Sequence, residues 1–169
     1  MDCYTQAMLD ASYNSEHAYG SSYGEHRTAL EFAREQHAEL KAYAESLNLI
    51  YLCTAFDQSS ATLLAELHLP AIKIAAGDLT NLPLLKHCAA LGVPLIVSTG
   101  GHDLADVDRT VGLLQKWGVQ FALLQATATY PCPHEELNLR VIETYREPYT
   151  DVVIGLSDHQ DGISMAPVA

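Results

Sequence analysis

Five short apolar runs, separated by stretches of helical period, constrain this chain more than any other feature. They are Leu49–Cys53, Ala71–Ala75, Pro94–Ser98, Gln120–Leu124 and Val152–Leu156. Runs that stay apolar at successive positions mark strands covered on both faces, as in a parallel sheet, because one solvated face would impose alternation. Helical segments are expected between them: Ser59–Leu67 with Ser59 or Ser60 as cap, Asn81–Leu91 with Pro83 in its first turn, Leu104–Trp117 opened by Asp103 and closed by Gly118, and Glu135–Tyr145 stopped before Pro148. Ahead of the first strand, Leu30, Ala33, His37, Leu40, Ala44 and Leu47 recur at three- and four-residue steps and predict one helix over 26–47. Strand and helix alternating in this way give an α/β fold with right-handed crossovers. An open doubly wound sheet and a segment of a β/α barrel both satisfy the pattern.

Length narrows the second option. A closed eightfold barrel takes about 250 residues and at least about 200. This chain has 169, so it is expected to hold part of one. Residues 1–24, rich in Ser, Tyr, Asn and Gly towards their end, read as a flexible N-terminal segment before a β/α region over 25–169.

Composition excludes several classes of partner. Nine Lys and Arg stand against 21 Asp and Glu, a formal net charge of −12. Nucleic acid and anionic membrane surfaces both require clustered positive charge, so neither is expected. No apolar run approaches the roughly 18 residues of a membrane helix, and the first residues lack a basic flank and apolar stretch, so a cytoplasmic location is expected. Cys3, Cys53, Cys88 and Cys132 form no paired motif and read as reduced thiols, mostly core filler.

In either architecture, ligands bind at the carboxyl ends of the strands. Every one of the five ends here is polar. Thr54 and Asp57 follow the first run, Gly77 and Asp78 the second, Ser98-Thr99-Gly100-Gly101-His102 the third, Thr127 and Tyr130 the fourth, and Ser157-Asp158-His159 the fifth. Lys73 stands inside an otherwise apolar run, where a charge needs a partner or a function. A structural salt bridge, an anion site and a Schiff base are the open readings. The hydroxyls of Thr54, Ser98, Thr99 and Ser157 favour the anion, since a phosphate is bound by a cation and several short donors. The Ser98–Gly101 turn lacks the spacing of a known phosphate loop. His159 is a candidate metal ligand without companions at ligand spacing, and the other histidines, His102 among them, show no such spacing either.

Five segments, in order, resemble the sialic acid synthase family of N-acetylneuraminate, legionaminate and pseudaminate synthases. They are Thr54-Ala55-Phe56-Asp57, Lys73-Ile74-Ala75-Ala76-Gly77-Asp78-Leu79-Thr80-Asn81, Ser98-Thr99-Gly100, Thr127 with Tyr130-Pro131-Cys132-Pro133, and Gly155-Leu156-Ser157-Asp158-His159. Tyr23-Gly24-Glu25-His26-Arg27 is similar to a helix opening in one branch. The resemblance implies a partial TIM-type (β/α) barrel whose five strands correspond to strands 3–7, without the antifreeze-like C-terminal domain of the family. It implies condensation of phosphoenolpyruvate with an N-acetylated amino sugar of the N-acetylmannosamine type, assisted by divalent Mn or Mg. Lys73 and Asp78 would be catalytic. Thr54, Lys73, Ser98, Thr127, Tyr130 and Ser157 would bind substrates, and His159 would ligate the metal. Strands with a catalytic Glu, a further Lys and a second metal-binding His have no counterpart, so weak or absent activity of the chain alone is expected. The alternatives are a non-catalytic binding or scaffold remnant and a fragment of a longer synthase. Uncovered barrel edges imply a homo-oligomer. Four positions depart from the family: Ala76 where Ser is usual, Gln125-Ala126 where His-Cys is common, and Ala128 where Asn or Ser stands. These departures are expected to remove donors from the phosphoenolpyruvate site.

Overall fold

The computed structural model describes residues 3–169. The chain divides into two compact units, residues 1–51 and 52–169.

The first unit holds three helices: α1 (Gln6–Leu9), α2 (Tyr23–Leu30) and α3 (Arg34–Ser46). Ser22 caps α2 through a reciprocal pair with Glu25, whose carboxylate accepts from the Ser22 backbone N–H. The single helix expected over 26–47 is therefore two. Glu31 and Ala33 are extended, and Gln36 Oε1 accepts the Ala33 N–H at 2.7 Å, which restarts the helix. The face expected to be buried is open instead. No residue of the three helices is buried, and Leu47 is 51% exposed.

The second unit is a five-stranded parallel sheet with its strands in sequence order. The strands are β1 (Thr54–Ala55), β2 (Ile72–Ile74), β3 (Leu95–Ser98), β4 (Phe121–Ala126) and β5 (Val153–Ser157). Between them run α4 (Gln58–Glu66), α5 (Leu82–Ala90), α6 (Leu104–Lys116) and α7 (Val141–Arg146), with short 3-10 turns at Ala76–Asp78 and His134–Glu136. This order decides between the two architectures. A doubly wound sheet reverses its strand order at a switch point, whereas β1-β2-β3-β4-β5 never reverses. Right-handed crossovers in an unreversed order put the helices on one side of the sheet. The result is an unclosed part of a (β/α) barrel.

Local chemistry accounts for the element ends. Asp57, rather than Ser59 or Ser60, caps α4, accepting the Ser60 N–H at 2.7 Å. Gly92 and Gly118, both at φ +70°, end α5 and α6 in the left-handed conformation that glycine adopts without steric cost. The helix expected over Glu135–Tyr145 is shortened to α7, because Asn138 takes φ +50° and its side-chain amide donates to the Glu136 carbonyl at 2.7 Å. The first strand lies later than its apolar run, and Ile50 is 75% exposed.

The core lies between the sheet and its helices. Ile72, Ile74, Leu95, Val97 and Leu123 are buried against a layer that includes Leu64, Leu85, Val107 and Leu114. Each such side chain contributes roughly 1.5–3 kcal/mol by leaving water. Cys88 and Cys132 are buried, and burial pushes the Cys88 thiol up to about 11. No helix among the described residues is long and apolar enough to cross a membrane.

Candidate functional site

Strand pleating sorts the polar residues onto two faces. Ile72 and Ile74 point into the helix-covered core, so Lys73 between them points to the other face. Its register partners are Thr54 on β1 and Ile96 on β3. Ser98, two residues beyond Ile96, shares that face. Gly155 and Ser157 join it through β4, paired with Leu124 and Ala126. Thr54, Lys73, Ser98 and Ser157 thus line one face from four different strands.

Lys73 and Ser98 are in direct contact. Lys73 Nζ donates to Ser98 Oγ at 2.5 Å and to the Ile74 carbonyl at 3.1 Å. Among the described residues no carboxylate pairs with Lys73, so the structural salt bridge is not formed there. Burial alone holds its amine below the usual lysine range. A half-buried cation without a counter-charge, next to a hydroxyl, is a ready site for an anion that supplies the missing charge.

Thr99 does not belong to this group. Its hydroxyl donates to the Leu124 carbonyl and accepts from Tyr145 Oη, each at 3.1 Å, and the residue is buried. Gly100 has a steric reason. A Cβ there would come within 3.0 Å of the Ala126 carbonyl oxygen, so the Ser98–Gly101 turn is built for close strand approach. Gln125 also leaves the expected site. It sits on the helix-covered side, buried, and its amide donates to the Leu137 carbonyl at 3.3 Å. The replacement at 125 therefore removes nothing from the Lys73 face.

A second cluster forms beyond β4 and β5. His159 Nδ1 lies 2.7 Å from the Thr127 carbonyl, which only accepts, so Nδ1 carries the proton. Nε2 is then the lone-pair nitrogen, 3.1 Å from Tyr130 Oη, and the two rings stack with centroids 4.0 Å apart. A backbone carbonyl behind one ring nitrogen is the support usual for a metal-ligating histidine. That fits one ligand position. Among the described residues no three His, Cys, Asp or Glu side chains gather as a metal set. The Thr127 hydroxyl donates to the Glu136 carbonyl at 2.8 Å, and so ties the strand end to the following turn.

Asp78 ends the 3-10 turn after β2, and its carboxylate accepts from the Asn81 side-chain amide at 2.9 Å. Asp57 is a capping residue. Burial raises its pKa, but hydrogen bonds from Ser60 and Ser59 outweigh this and hold the carboxyl at about 2. The structure thus joins Lys73 with Ser98, and Thr127 and Tyr130 with His159. Sequence spacing gave no sign of the Tyr145–Thr99 bond or of what His102 and Thr110 do, since each reaches across 26 or more positions.

Comparison with known proteins decides the relationship. The family model for the NeuB family matches residues 1–169. The chain belongs to the NeuB family. This NeuB-family chain is 36% identical over 167 residues to the N-acetylneuraminate-9-phosphate synthase of Drosophila melanogaster, covering 98% of the chain and 45% of that relative. It is 38% identical over 145 residues to the N,N'-diacetyllegionaminic acid synthase of Campylobacter jejuni, covering 83% and 43%. The crystal structure of the N-acetylneuraminic acid synthetase from Leptospira borgpetersenii, in complex with citrate, superposes with a TM-score of 0.80 at 29% identity, over 86% of this chain and 53% of that one. The chain spans about half the length of the curated relatives it matches.

Proposed function

We propose that the open face of this sheet is the phosphoenolpyruvate-binding part of a sialic acid-type synthase site. The observation that carries this reading is the unpaired Lys73 ammonium on the Ser98 hydroxyl. Phosphoenolpyruvate brings a phosphate and a carboxylate, and Lys73 supplies charge to them while Thr54, Ser98 and Ser157 supply hydrogen bonds. In a chain of net charge −12, such a site holds an anion only where local positive charge outweighs the overall field.

The proposed reaction joins C3 of phosphoenolpyruvate to the aldehyde carbon of an N-acetylated hexosamine. Water adds at C2 and phosphate leaves. Tyr130 and Thr127 line the sugar side, and Asp78 lies near the reacting atoms. His159 would be the ligand this chain contributes to a divalent Mn or Mg, whose chemistry there would be Lewis-acid polarisation of the sugar carbonyl. One imidazole is fewer protein ligands than such an ion takes, so turnover by the chain alone is weak or absent. A binding or scaffold remnant is the second reading, supported by the same single ligand.

Calorimetric titration of phosphoenolpyruvate into the chain, with and without Mn, tests the reading beside Lys73→Ala. Micromolar binding that the variant loses supports it. No heat at millimolar ligand leaves the scaffold reading.

A further inference from the structure

We propose that His102 is a positioning residue that fixes the turn carrying Asp78. The Ala76–Asp78 turn follows the strand of Lys73 and is short, half-exposed and without buried residues of its own. Its own backbone bonds are few: Asp78 N–H to the Ala75 carbonyl at 3.0 Å, Leu79 N–H to the Ala76 carbonyl at 3.1 Å and Asn81 N–H to the Asp78 carbonyl at 3.0 Å. Three such bonds do not hold a three-residue turn rigidly in water.

The restraint comes from α6 and the residues just before it. His102 Nε2 lies 3.0 Å from the Ala76 carbonyl, and Thr110 Oγ1 donates to the Leu79 carbonyl at 2.9 Å. A carbonyl only accepts, so Nε2 carries the proton and donates. Thr110 is buried, and His102 is largely so. The two bonds grip the carbonyls on either side of Gly77 and Asp78. Behind the ring, His102 Nδ1 lies 3.5 Å from Asp106 Oδ2, an ion-pair contact that holds the ring when Nδ1 is protonated as well, and Asp106 is engaged by Arg109 at 3.2 Å. Arg109, Asp106 and His102 thus form a strut from the first turns of α6 to the end of β2. Asn81 completes the grip by donating to the Asp78 carboxylate.

The consequence is a carboxylate whose place is set by its neighbour's helix. The His102 ring bonds to the Ala76 carbonyl of the turn, so its effect reaches Asp78 through the turn. This rests on the proposed role of Asp78 near the reacting atoms. The strut itself rests on geometry alone.

The test uses the 15N-labelled chain with His102→Ala and His102→Gln. The glutamine retains an N–H donor. In the alanine variant, hydrogen exchange at the Leu79 amide rises about tenfold, while exchange at Leu124 in β4 stays within about twofold. The glutamine variant restores most of the protection. With both substrates and Mn present, the alanine variant lowers kcat about tenfold and leaves phosphoenolpyruvate affinity within about twofold. Unchanged exchange at Leu79, or an equal rise at Leu79 and Leu124, overturns the proposal. Lost affinity at unchanged kcat also overturns it. If the unsubstituted chain shows no turnover, the exchange ratio alone decides the strut, and absent phosphoenolpyruvate binding overturns the reading of the site without touching the strut.

Discussion

Replacing Lys73 by methionine should abolish anion binding while changing stability little. Methionine nearly matches the lysine stem in length and carries no charge. Lys73 is half-buried and pays desolvation without a carboxylate to offset it. Taking an ion fully out of water costs several kcal/mol after relaxation, and partial exposure of this ammonium reduces that figure. Against it stand two hydrogen bonds from a charged donor, to Ser98 and Ile74, each contributing roughly 1.5–3 kcal/mol net of exchange with water. Losing them also leaves the buried Ser98 hydroxyl without its donor, at a cost of about 1 kcal/mol. The relieved desolvation and the lost bonds are of similar size, so the net change expected at neutral pH lies within about 2 kcal/mol of zero. Urea unfolding followed by circular dichroism reads it directly.

The pH dependence gives an internal control. The folded pKa of Lys73 lies below the unfolded value, so the unfolded chain binds more protons between the two. Stability of the unsubstituted chain therefore rises with pH across that window, and the penalty is complete below the folded pKa. The stability of Lys73→Met relative to the unsubstituted chain should fall as pH approaches about 10.4, the unperturbed lysine value. A loss well beyond about 2 kcal/mol at pH 7, or a difference that ignores pH, would refute the view that Lys73 is a binding cation and not a fold-stabilising one.

Two further substitutions probe the frame around the site. Gly100→Ala should cost about 1–3 kcal/mol in the same unfolding assay, because its Cβ meets the Ala126 backbone carbonyl at 3.0 Å and a backbone atom yields little; a neutral result would mean that β3 and β4 separate easily at their carboxyl ends. Asp57→Ala should lower stability by about 1 kcal/mol through the lost cap of α4. The Asp57 carboxyl titrates at about 2 in the fold, so its contribution is present above the unfolded value of about 3.9 and fades as pH falls to about 2. A gap between the two proteins that stays constant from pH 6 to about pH 2 would contradict that assignment.

Much of the second unit was legible because its signals are local. Apolar runs locate β2 to β5, and Asp103, Asn81 and the glycines after α5 and α6 mark helix ends from one or two residues. The lone charge among apolar neighbours singled out Lys73, and Thr54, Ser98 and Ser157 do fall on its face of the sheet. What failed depended on partners distant in sequence or on balances between near-equal conformations. Thr99 and Gln125 alternate onto the helix side by strand parity, which a list of polar strand ends does not register. The break after Leu30 has no proline or glycine to announce it, only the reach of Gln36 to Ala33. The barrel order followed from neither period nor composition. The family resemblance implied it, and the sheet bears it out, its strands succeeding one another without reversal.

The one-sided helix cover has an evolutionary reading. The residues that hold the sheet together, such as Ile74, Val97 and Leu123, alternate along the strands with those on the open face. Neighbours in sequence therefore answer to different selective pressures. Exposed side chains on the open face can be exchanged while the adjoining core residues stay as they are, whereas Ser98, buried on that face, and Gly155, packed on Leu124, yield less. For a directed-evolution library on this scaffold, every second strand position is the natural place to randomise.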